Sequence, residues 1–377
     1  MSTDTVVLER PELQQAIQSM VDSGFLGVTL RVHDERGEWT GSAGLCKLGE
    51  TAAPPIEGHV RIGSNTKTFI ATVVLQLVAE GKIDLDAPLV GYLPEFELDS
   101  RITVRMVLQH TSGIFNFTGE FYTERENAAA VPWNDGWMVR GIAWSGQEWV
   151  ENRFKTYRPE ELVQLASTKP ARFEPGAGWS YSNTNYVLAR LLIEKVSGRP
   201  YAAEMQRLIL GPLGLTDTVA PTVEPEIAEP HAHAYYRYED AAGVAHTVDV
   251  TRQNPSWISS GGDMISTTRD LHTFIAALVG GALLPAELLA QMFTPHPEFG
   301  YGLGVFVQEA PNGGGTLITH NGGIAGHGAL MYSSLDGSKT LTATLNSVDD
   351  ADLSLSGAFQ QGMQRLVAAV FGGAQAE

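Results

Sequence analysis

The sequence has one cysteine among its 377 residues, Cys46, which excludes an internal disulfide and cannot form a metal site alone. Basic residues are also scarce, because 25 Lys and Arg stand against 43 Asp and Glu for a net charge of −18. A surface of this sign repels nucleic acid and anionic membranes, so no nucleic-acid partner is expected. No run of about 18 apolar residues occurs, and no membrane span is expected.

The first ten residues are polar and acidic, without the basic segment and apolar stretch of an export signal. A cytoplasmic protein is expected if Met1 is the natural start, and a secreted one if the chain has been trimmed. With 43% hydrophobic residues, the chain has enough apolar material for one large domain or two interleaved domains.

The pattern of apolar residues predicts strands at both ends of the chain and helices between them. Alternating or β-branched segments predict strands over residues 27–33, 38–45, 301–307, 316–320, 328–333 and 340–346. Helical spacing is typical of residues 12–21, 103–108, 162–166, 186–196, 270–278 and 353–371, and of a long helix that starts at Ser64. We expect an α/β (α+β) fold, with one antiparallel sheet formed by residues 1–85 and 255–377 and flanked by helices. Residues 86–254 are expected to form an inserted, mainly helical domain.

The first motif with chemical potential is Ser64-Asn65-Thr66-Lys67. Ser64 follows Gly63 and begins a predicted helix, where free backbone N–H groups stabilise negative charge. Lys67 lies three residues on, on the same helix face, and a lysine in an apolar cleft can take the hydroxyl proton. The alternative is a serine helix cap with a solvated lysine.

The second motif is Tyr181-Ser182-Asn183, which follows a Pro-Gly turn. The Tyr181 phenol can pass a proton between Ser64, Lys67 and a leaving group. The Asn183 amide can hold both Lys67 and a substrate carbonyl. The alternative is a turn with a buried tyrosine and an asparagine cap.

The third motif, His320-Asn321-Gly322-Gly323, ends a predicted strand. Its small residues permit close approach of a substrate backbone, and the Gly323 N–H can pair with that of Ser64 as an oxyanion hole. The alternative is a glycine-rich hairpin.

These motifs, in this order, resemble those of the penicillin-recognising serine enzymes: class C β-lactamases, serine D-alanyl-D-alanine carboxypeptidases and family VIII-type esterases. Further similarity lies in His110-Thr111-Ser112-Gly113, Ser260-Gly261-Gly262-Asp263 and Tyr301-Gly302-Leu303-Gly304. Among these enzymes the chain is most similar to actinobacterial carboxypeptidases, which carry His-Thr-Gly at the third motif. The resemblance implies a β-lactamase/transpeptidase-like fold and no cofactor or metal.

The resemblance also implies a role for each motif residue. Ser64 would be the nucleophile, Lys67 its base, Tyr181 the proton shuttle and Asn183 a positioning residue. His320 would stand at the catalytic position that many β-lactamases fill with lysine. The backbone N–H groups of Ser64 and Gly323 would form the oxyanion hole. Further substrate contacts are expected from Trp257, Phe306, Asn321 and Gly322.

Two departures from the carboxypeptidase pattern bear on the substrate. The arginine that should follow Tyr-Gly-Leu-Gly is replaced by Val305-Phe306-Val307, and hydroxyl positions of the third motif are Asn321 and Gly323. Since a buried carboxylate needs a charged partner, we expect a substrate without one there: an ester, a thioester or an internal amide. The segment 120–157 is also long and contains Trp133, Trp137, Trp144 and Trp149. It is interpreted either as a lid over the cleft or as extra packing.

The sequence therefore predicts a serine acyl-transfer enzyme that passes an acyl group from an ester, amide or peptide donor to water, an amine or an alcohol. D-alanyl-D-alanine carboxypeptidase and β-lactamase activity are the alternatives within this class. A penicillin-binding module without turnover is the rival outside it. The pair His231 and His233 is interpreted as part of a surface loop rather than a metal site, and His110 as structural.

Overall fold

The computed structural model describes residues 9–124, 130–133, 136–350 and 352–373. The strands are β1 (Gly27–Asp34), β2 (Gly37–Gly44), β3 (Val60–Arg61), β4 (Gly119–Tyr122), β5 (Val131–Trp133), β6 (Gly136–Arg140), β7 (Tyr235–Glu239), β8 (Ala245–Asp249), β9 (Ile265–Ser266), β10 (Phe306–Glu309), β11 (Thr316–Ile324), β12 (His327–Ser334), β13 (Thr340–Asn346) and β14 (Val348–Asp350). The helices are α1 (Pro11–Asp22), α2 (Thr66–Ala79), α3 (Val104–Gln109), α4 (Gly146–Asn152), α5 (Pro159–Ser167), α6 (Asn183–Ser197), α7 (Tyr201–Met205), α8 (Gly211–Leu213), α9 (Thr268–Val279), α10 (Ala286–Met292) and α11 (Ser356–Phe371).

Both ends of the chain contribute to one six-stranded sheet, in the order β10-β11-β12-β13-β1-β2. The join is made by β1 and β13, which pair antiparallel from Gly27 opposite Asn346 to His33 opposite Thr340. The expected antiparallel sheet from the two chain ends is confirmed. Its strands are rich in β-branched and aliphatic residues, which suit a pleated surface buried against helices.

Helices cover both faces of this sheet. On one face, α1 and α11 pack together, and Leu13, Ile17, Leu366 and Val370 are buried beneath them with the sheet residue Leu330. On the other face, α9 contacts β12 and β13. Helix α2 contacts α9 through the stacked rings of Phe69 and Phe274. Eleven of the fourteen residues of α2 are buried, and they include the polar residues Thr66, Lys67, Thr68 and Thr72. A helix that is buried all round is central to its domain, and α2 therefore carries Lys67 into the interior.

The middle of the chain is helical, as expected, but it also contains strands that periodicity did not indicate. β4, β6 and β5 form a small antiparallel sheet, and β7 and β8 form a hairpin that β14 extends. Strand β14 follows β13 of the main sheet after one residue and pairs parallel with β7. The hairpin of β7 and β8 is therefore connected to the main sheet through β14. The division at residues 86–254 stays a prediction.

Among the residues that the structure describes, no helix combines the length and the apolar character that crossing a membrane needs.

Candidate active site

Ser64 lies in a tight turn at the start of α2. Residues Gly63–Asn65 form one turn of 3-10 helix that leads directly into α2. Gly63 has a φ of 52°, which only glycine adopts without strain. A Cβ at Gly63 would also come within 2.5 Å of the backbone nitrogen of Gly323. The Ser64 N–H belongs to the first turn, which has no intrahelical acceptor for it, and it is available to a ligand.

The Lys67 amino group is buried beside Ser64. Its Nζ lies 3.0 Å from Ser64 Oγ, and it donates to Asn183 Oδ1 at 2.8 Å and to the carbonyl oxygen of Gly261 at 2.6 Å. Burial lowers the pKa of Lys67 well below its usual value, and the negative charge of Asp263 opposes this only in part. A neutral amine can donate to the two oxygens and keep its lone pair for the Ser64 hydroxyl.

Tyr181 and Asn183 of the second motif both lie beside Lys67. The Tyr181 hydroxyl lies near Ser64, and the Tyr181 ring centroid lies 4.6 Å from Lys67 Nζ. Burial raises the pKa of Tyr181, so the phenol is protonated at neutral pH. Asn183 is the first residue of α6, and its Nδ2 donates to Thr118 Oγ1 at 3.2 Å. That contact fixes the amide with its oxygen toward Lys67.

His320 lies on β11 in an aromatic environment. Its Nδ1 donates to the Asn321 carbonyl at 2.7 Å, and its Nε2 accepts from the Tyr301 hydroxyl at 3.1 Å. Burial, with a smaller effect of the nearby Lys67 charge, lowers the pKa of His320 to about 3. A neutral imidazole therefore stands where the resemblance suggested a replacement for a lysine cation. The catalytic role of His320 stays a prediction.

The glycines of the third motif bring β11 against the Ser64 turn. A Cβ at Gly322 would lie 2.0 Å from the carbonyl oxygen of Ile62 and 2.5 Å from the nitrogen of Ser64. The geometry thus brings together Ser64, Lys67, Tyr181, Asn183 and the Gly322–Gly323 backbone. The oxyanion assignment to Ser64 and Gly323 stays a prediction, with this close approach in its favour.

Asn321, Phe306 and Trp257, which were expected to contact the substrate, lie in three different environments. Successive strand residues point to opposite faces, and Asn321 turns toward α11, where its Nδ2 lies 3.7 Å from Met363 Sδ. Phe306 is half-buried, with its ring 5.3 Å from that of His320. Trp257 is buried in the core, and its indole N–H donates to Gln253 Oε1 at 3.1 Å. A substrate contact for each of the three stays a prediction.

The tryptophan-rich segment is divided between core and surface. Trp149 is buried and packs edge-on against Trp257 at 6.2 Å between ring centroids. Trp144 lines a cavity of about 530 Å³ that also contacts β6. Trp137 is half-buried, and the side chain of Trp133 lies outside the described part of the chain. Packing accounts for Trp149, whereas a lid role for the rest stays a prediction.

Asp263 is a buried acid near Lys67 to which sequence reasoning gave no role. The Tyr201 hydroxyl donates to Asp263 Oδ2 at 2.5 Å, and Oδ1 has no hydrogen-bond partner among the described residues. Burial raises the pKa of Asp263 to about 6. Its position in Ser260-Gly261-Gly262-Asp263, two residues after the Gly261 carbonyl that accepts from Lys67, was the available signal.

His110, His231 and His233 have structural surroundings. His110 is fully buried, and its Nδ1 accepts the backbone N–H of Ser182 at 3.2 Å. The rings of His231 and His233 lie 5.4 Å apart, and Nδ1 of His233 is 2.7 Å from Asp249 Oδ2. Within the described ranges, no three His, Cys, Asp or Glu residues converge as metal ligands would.

Comparison with known proteins agrees with this geometry. A family model described as Beta-lactamase matches residues 13–358. Among solved structures, a D-stereospecific amidohydrolase from Streptomyces sp. is 36% identical with a TM-score of 0.80, over 98% of this chain and 100% of that chain. The D-amino acid amidase from Ochrobactrum anthropi SV3, complexed with D-phenylalanine, is 26% identical with a TM-score of 0.78, over 95% of this chain and 98% of that one.

A curated relative extends the range of named activities. Esterase EstB from Burkholderia gladioli is 36% identical over 172 residues, which are 44% of this chain and 39% of the esterase. The chain spans 39% to 66% of the length of this and two further curated relatives. The family model covers nearly the whole chain, and the amidohydrolase and the amidase share its fold. The chain belongs to the β-lactamase family of serine hydrolases.

Proposed function

We propose that this chain is a serine acyl-transfer enzyme that works through an acyl-enzyme on Ser64. The observation that carries the proposal is the partly buried contact of 3.0 Å between Lys67 Nζ and Ser64 Oγ. A nucleophile within hydrogen-bond reach of a base, which a third group orients, is the arrangement that covalent catalysis needs. Here Asn183 and the Gly261 carbonyl are the orienting groups.

Acylation begins with proton transfer from Ser64 Oγ to neutral Lys67 while Oγ bonds to the substrate carbonyl carbon. The carbonyl oxygen becomes an oxyanion, which the N–H groups of Ser64 and Gly323 stabilise. The tetrahedral centre then collapses, and the bond to the leaving nitrogen or oxygen breaks. Tyr181 passes the proton from Lys67 to that leaving atom and is itself protonated again, so the step balances.

Deacylation repeats the sequence with a new nucleophile. Water, an amine or an alcohol gives its proton through Tyr181 and Lys67 while it attacks the ester carbonyl. The bond to Ser64 Oγ breaks, and Oγ recovers the proton. Water yields a carboxylic acid, whereas an amine or alcohol yields a new amide or ester.

For the substrate class, we infer an amide or ester of a D-amino acid without a free carboxylate beside the scissile bond. The likeness to a D-stereospecific amidohydrolase and to a D-amino acid amidase supports this class. The sequence Val305-Phe306-Val307 supports it too, because these residues supply no cation to a substrate carboxylate where the carboxypeptidases place an arginine. A D-alanyl-D-alanine carboxypeptidase would need such a cation.

The test compares kcat/KM for D-phenylalanine amide, L-phenylalanine amide, a D-Ala-D-Ala peptide and benzylpenicillin, in the native chain and in Ser64→Ala. We expect the D-amide to exceed the L-amide and the D-Ala-D-Ala peptide at least tenfold. Ser64→Ala should lose turnover by several orders of magnitude.

Other outcomes would each replace the proposal with a stated alternative. A tenfold preference for the D-Ala-D-Ala peptide would indicate a carboxypeptidase, and fast turnover of benzylpenicillin a β-lactamase. Stoichiometric labelling that never turns over would indicate a binding module. Retention of turnover by Ser64→Ala within about tenfold would refute the nucleophile itself.

A further inference from the structure

A cavity of about 350 Å³ lies on the α11 side of β11, where the main sheet meets the first turns of that helix. Its walls are largely apolar, with side chains of Phe25, Leu353, Leu355, Phe359 and Met363 around it. A volume near 300 Å³ and an apolar lining are typical of pockets for small organic groups.

The cavity shares its wall with the candidate oxyanion site. Both Gly322 and Gly323 line it, and Gly323 is exposed there. A Cβ at Gly323 would meet nothing closer than the carbonyl oxygen of His327 at 3.7 Å, so open space adjoins this residue. Strand β10 pairs with Thr316–Thr319 and does not extend along the glycines. A substrate held at the Gly323 N–H can therefore pass over this strand end into the cavity.

The polar groups of the cavity suit an uncharged or cationic ligand rather than an anion. Its lining, taken over the described residues, includes neither Lys nor Arg, but it does include Asp349 and His327. Burial raises the pKa of the Asp349 carboxyl. His327 shares its face of β12 with Ala329 and Met331, which pack into the core on the other side of the sheet, so its backbone rather than its ring borders the cavity. A carboxylate placed here would lose its hydration without gaining a cation.

We propose that this cavity is a substrate subsite for an apolar group without negative charge, attached to the carbonyl that reacts with Ser64. The proposal rests on the proposed function and deepens it, because it assigns substrate selectivity to the first turns of α11. The apolar group comes from either the acyl side or the leaving-group side of the scissile bond. Its chemistry is the same in both cases.

The sharpest test introduces a cation at the mouth of the cavity. Gln360 lines the cavity and is exposed, whereas its neighbour Gln361 is exposed but does not line it. Gln360→Arg and Gln361→Arg therefore add the same charge to the same helix turn, and only the first adds it to the cavity. Two isosteric substrate pairs report the effect: D-glutamate α-amide with D-glutamine α-amide, and D-Phe-L-Ala with D-Phe-L-Ala amide.

In the native chain we expect the uncharged member of each pair to have the higher kcat/KM. Gln360→Arg should raise kcat/KM for the carboxylate member at least fivefold in one pair, while Gln361→Arg leaves both ratios within twofold. A gain in the glutamate pair assigns the cavity to the acyl side chain, and a gain in the dipeptide pair assigns it to the leaving group. No gain in either pair, or equal gains in both variants, would overturn the proposal.

A second variant tests the apolar wall without changing charge. Phe359→Ala removes a ring from the cavity, and it should reduce the preference for a phenyl over a methyl substituent at least fivefold on the same side of the scissile bond. An unchanged preference would contradict the subsite. Acylation of Ser64 by a small acetyl ester distinguishes failure of the subsite from failure of the catalytic proposal. If the native chain is not acylated, the catalytic proposal is refuted. If acylation is normal but the selectivities are unchanged in the variants, only the subsite is refuted.

Discussion

Replacement of Gly322 by alanine tests how closely β11 must approach the Ser64 turn. The new Cβ would lie 2.0 Å from the carbonyl oxygen of Ile62 and 2.5 Å from the nitrogen of Ser64. Because carbon–oxygen contacts are normally about 3.3 Å or longer, the strand and the turn would have to separate by roughly 1 Å. A misplacement of about 1 Å in a catalytic group costs on the order of 100-fold in rate. We therefore expect kcat/KM to fall about 100-fold in Gly322→Ala, which equals about 2.7 kcal/mol.

The assay measures kcat/KM with an activated D-phenylalanine ester beside thermal unfolding of the same variant. Overpacking of this kind lowers the free energy of unfolding by about 1–3 kcal/mol, so the variant should still fold. Gly323→Ala is the matched comparison, because its Cβ would meet nothing closer than 3.7 Å. It should lose less than tenfold. The reasoning is refuted if Gly322→Ala keeps more than a third of the native kcat/KM, or if Gly323→Ala loses as much.

Asp263→Asn should shift the acid limb of the kcat/KM–pH profile to lower pH, because loss of the carboxylate removes the group that raises the pKa of Lys67. In the native chain burial raises the Asp263 pKa from 3.8 to about 6. The contribution of Asp263 to the free energy of unfolding is therefore largest below pH 3.8 and is lost as the pH rises through 6. Urea unfolding of the Asn variant should lack that fall, and an identical pH dependence would contradict the assignment. Phe274→Ala should lower the free energy of unfolding by about 3–5 kcal/mol, because the ring stacks on Phe69 with 3.6 Å between centroids and its removal leaves a core cavity; a loss below about 1 kcal/mol in urea unfolding would refute this. Thr267→Ala should lose about 1 kcal/mol by the same measurement, because the Thr267 hydroxyl accepts a backbone N–H in the first turn of α9, and an unchanged stability would show that this cap is dispensable.

The strands of the main sheet were predictable because their apolar residues are concentrated in short, β-branched segments. β1, β2, β12 and β13 lie within two residues of their predicted bounds. The hairpin of β7 and β8 was missed, since Tyr235–Glu239 and Ala245–Asp249 mix charged and apolar residues and β8 is largely exposed. Burial drives the periodicity from which strands are predicted, and an exposed hairpin leaves little of it.

In the candidate site, too, the contacts set by local spacing were predictable, whereas those set by tertiary packing were not. The pairing of Ser64 with Lys67 follows from helix geometry, which sequence spacing encodes. The carbonyl of Gly261 as an acceptor for Lys67 depends on tertiary packing, and no local pattern indicates it. For Asn321, the third motif was recognised in the sequence, but the direction of the side chain was not predicted. Strand alternation places Asn321 on the face opposite His320, toward α11.

The central claim is an acyl-enzyme on Ser64, and intact-protein mass spectrometry after rapid mixing with D-phenylalanine methyl ester tests it most directly. The account predicts one added D-phenylalanyl group per chain, mapped to the peptide that contains Ser64, and no added mass in Ser64→Ala. The adduct should form more slowly below the pKa of Lys67, where the base is protonated. An adduct that persists in Ser64→Ala, or turnover without any adduct in quenched samples, would contradict the account.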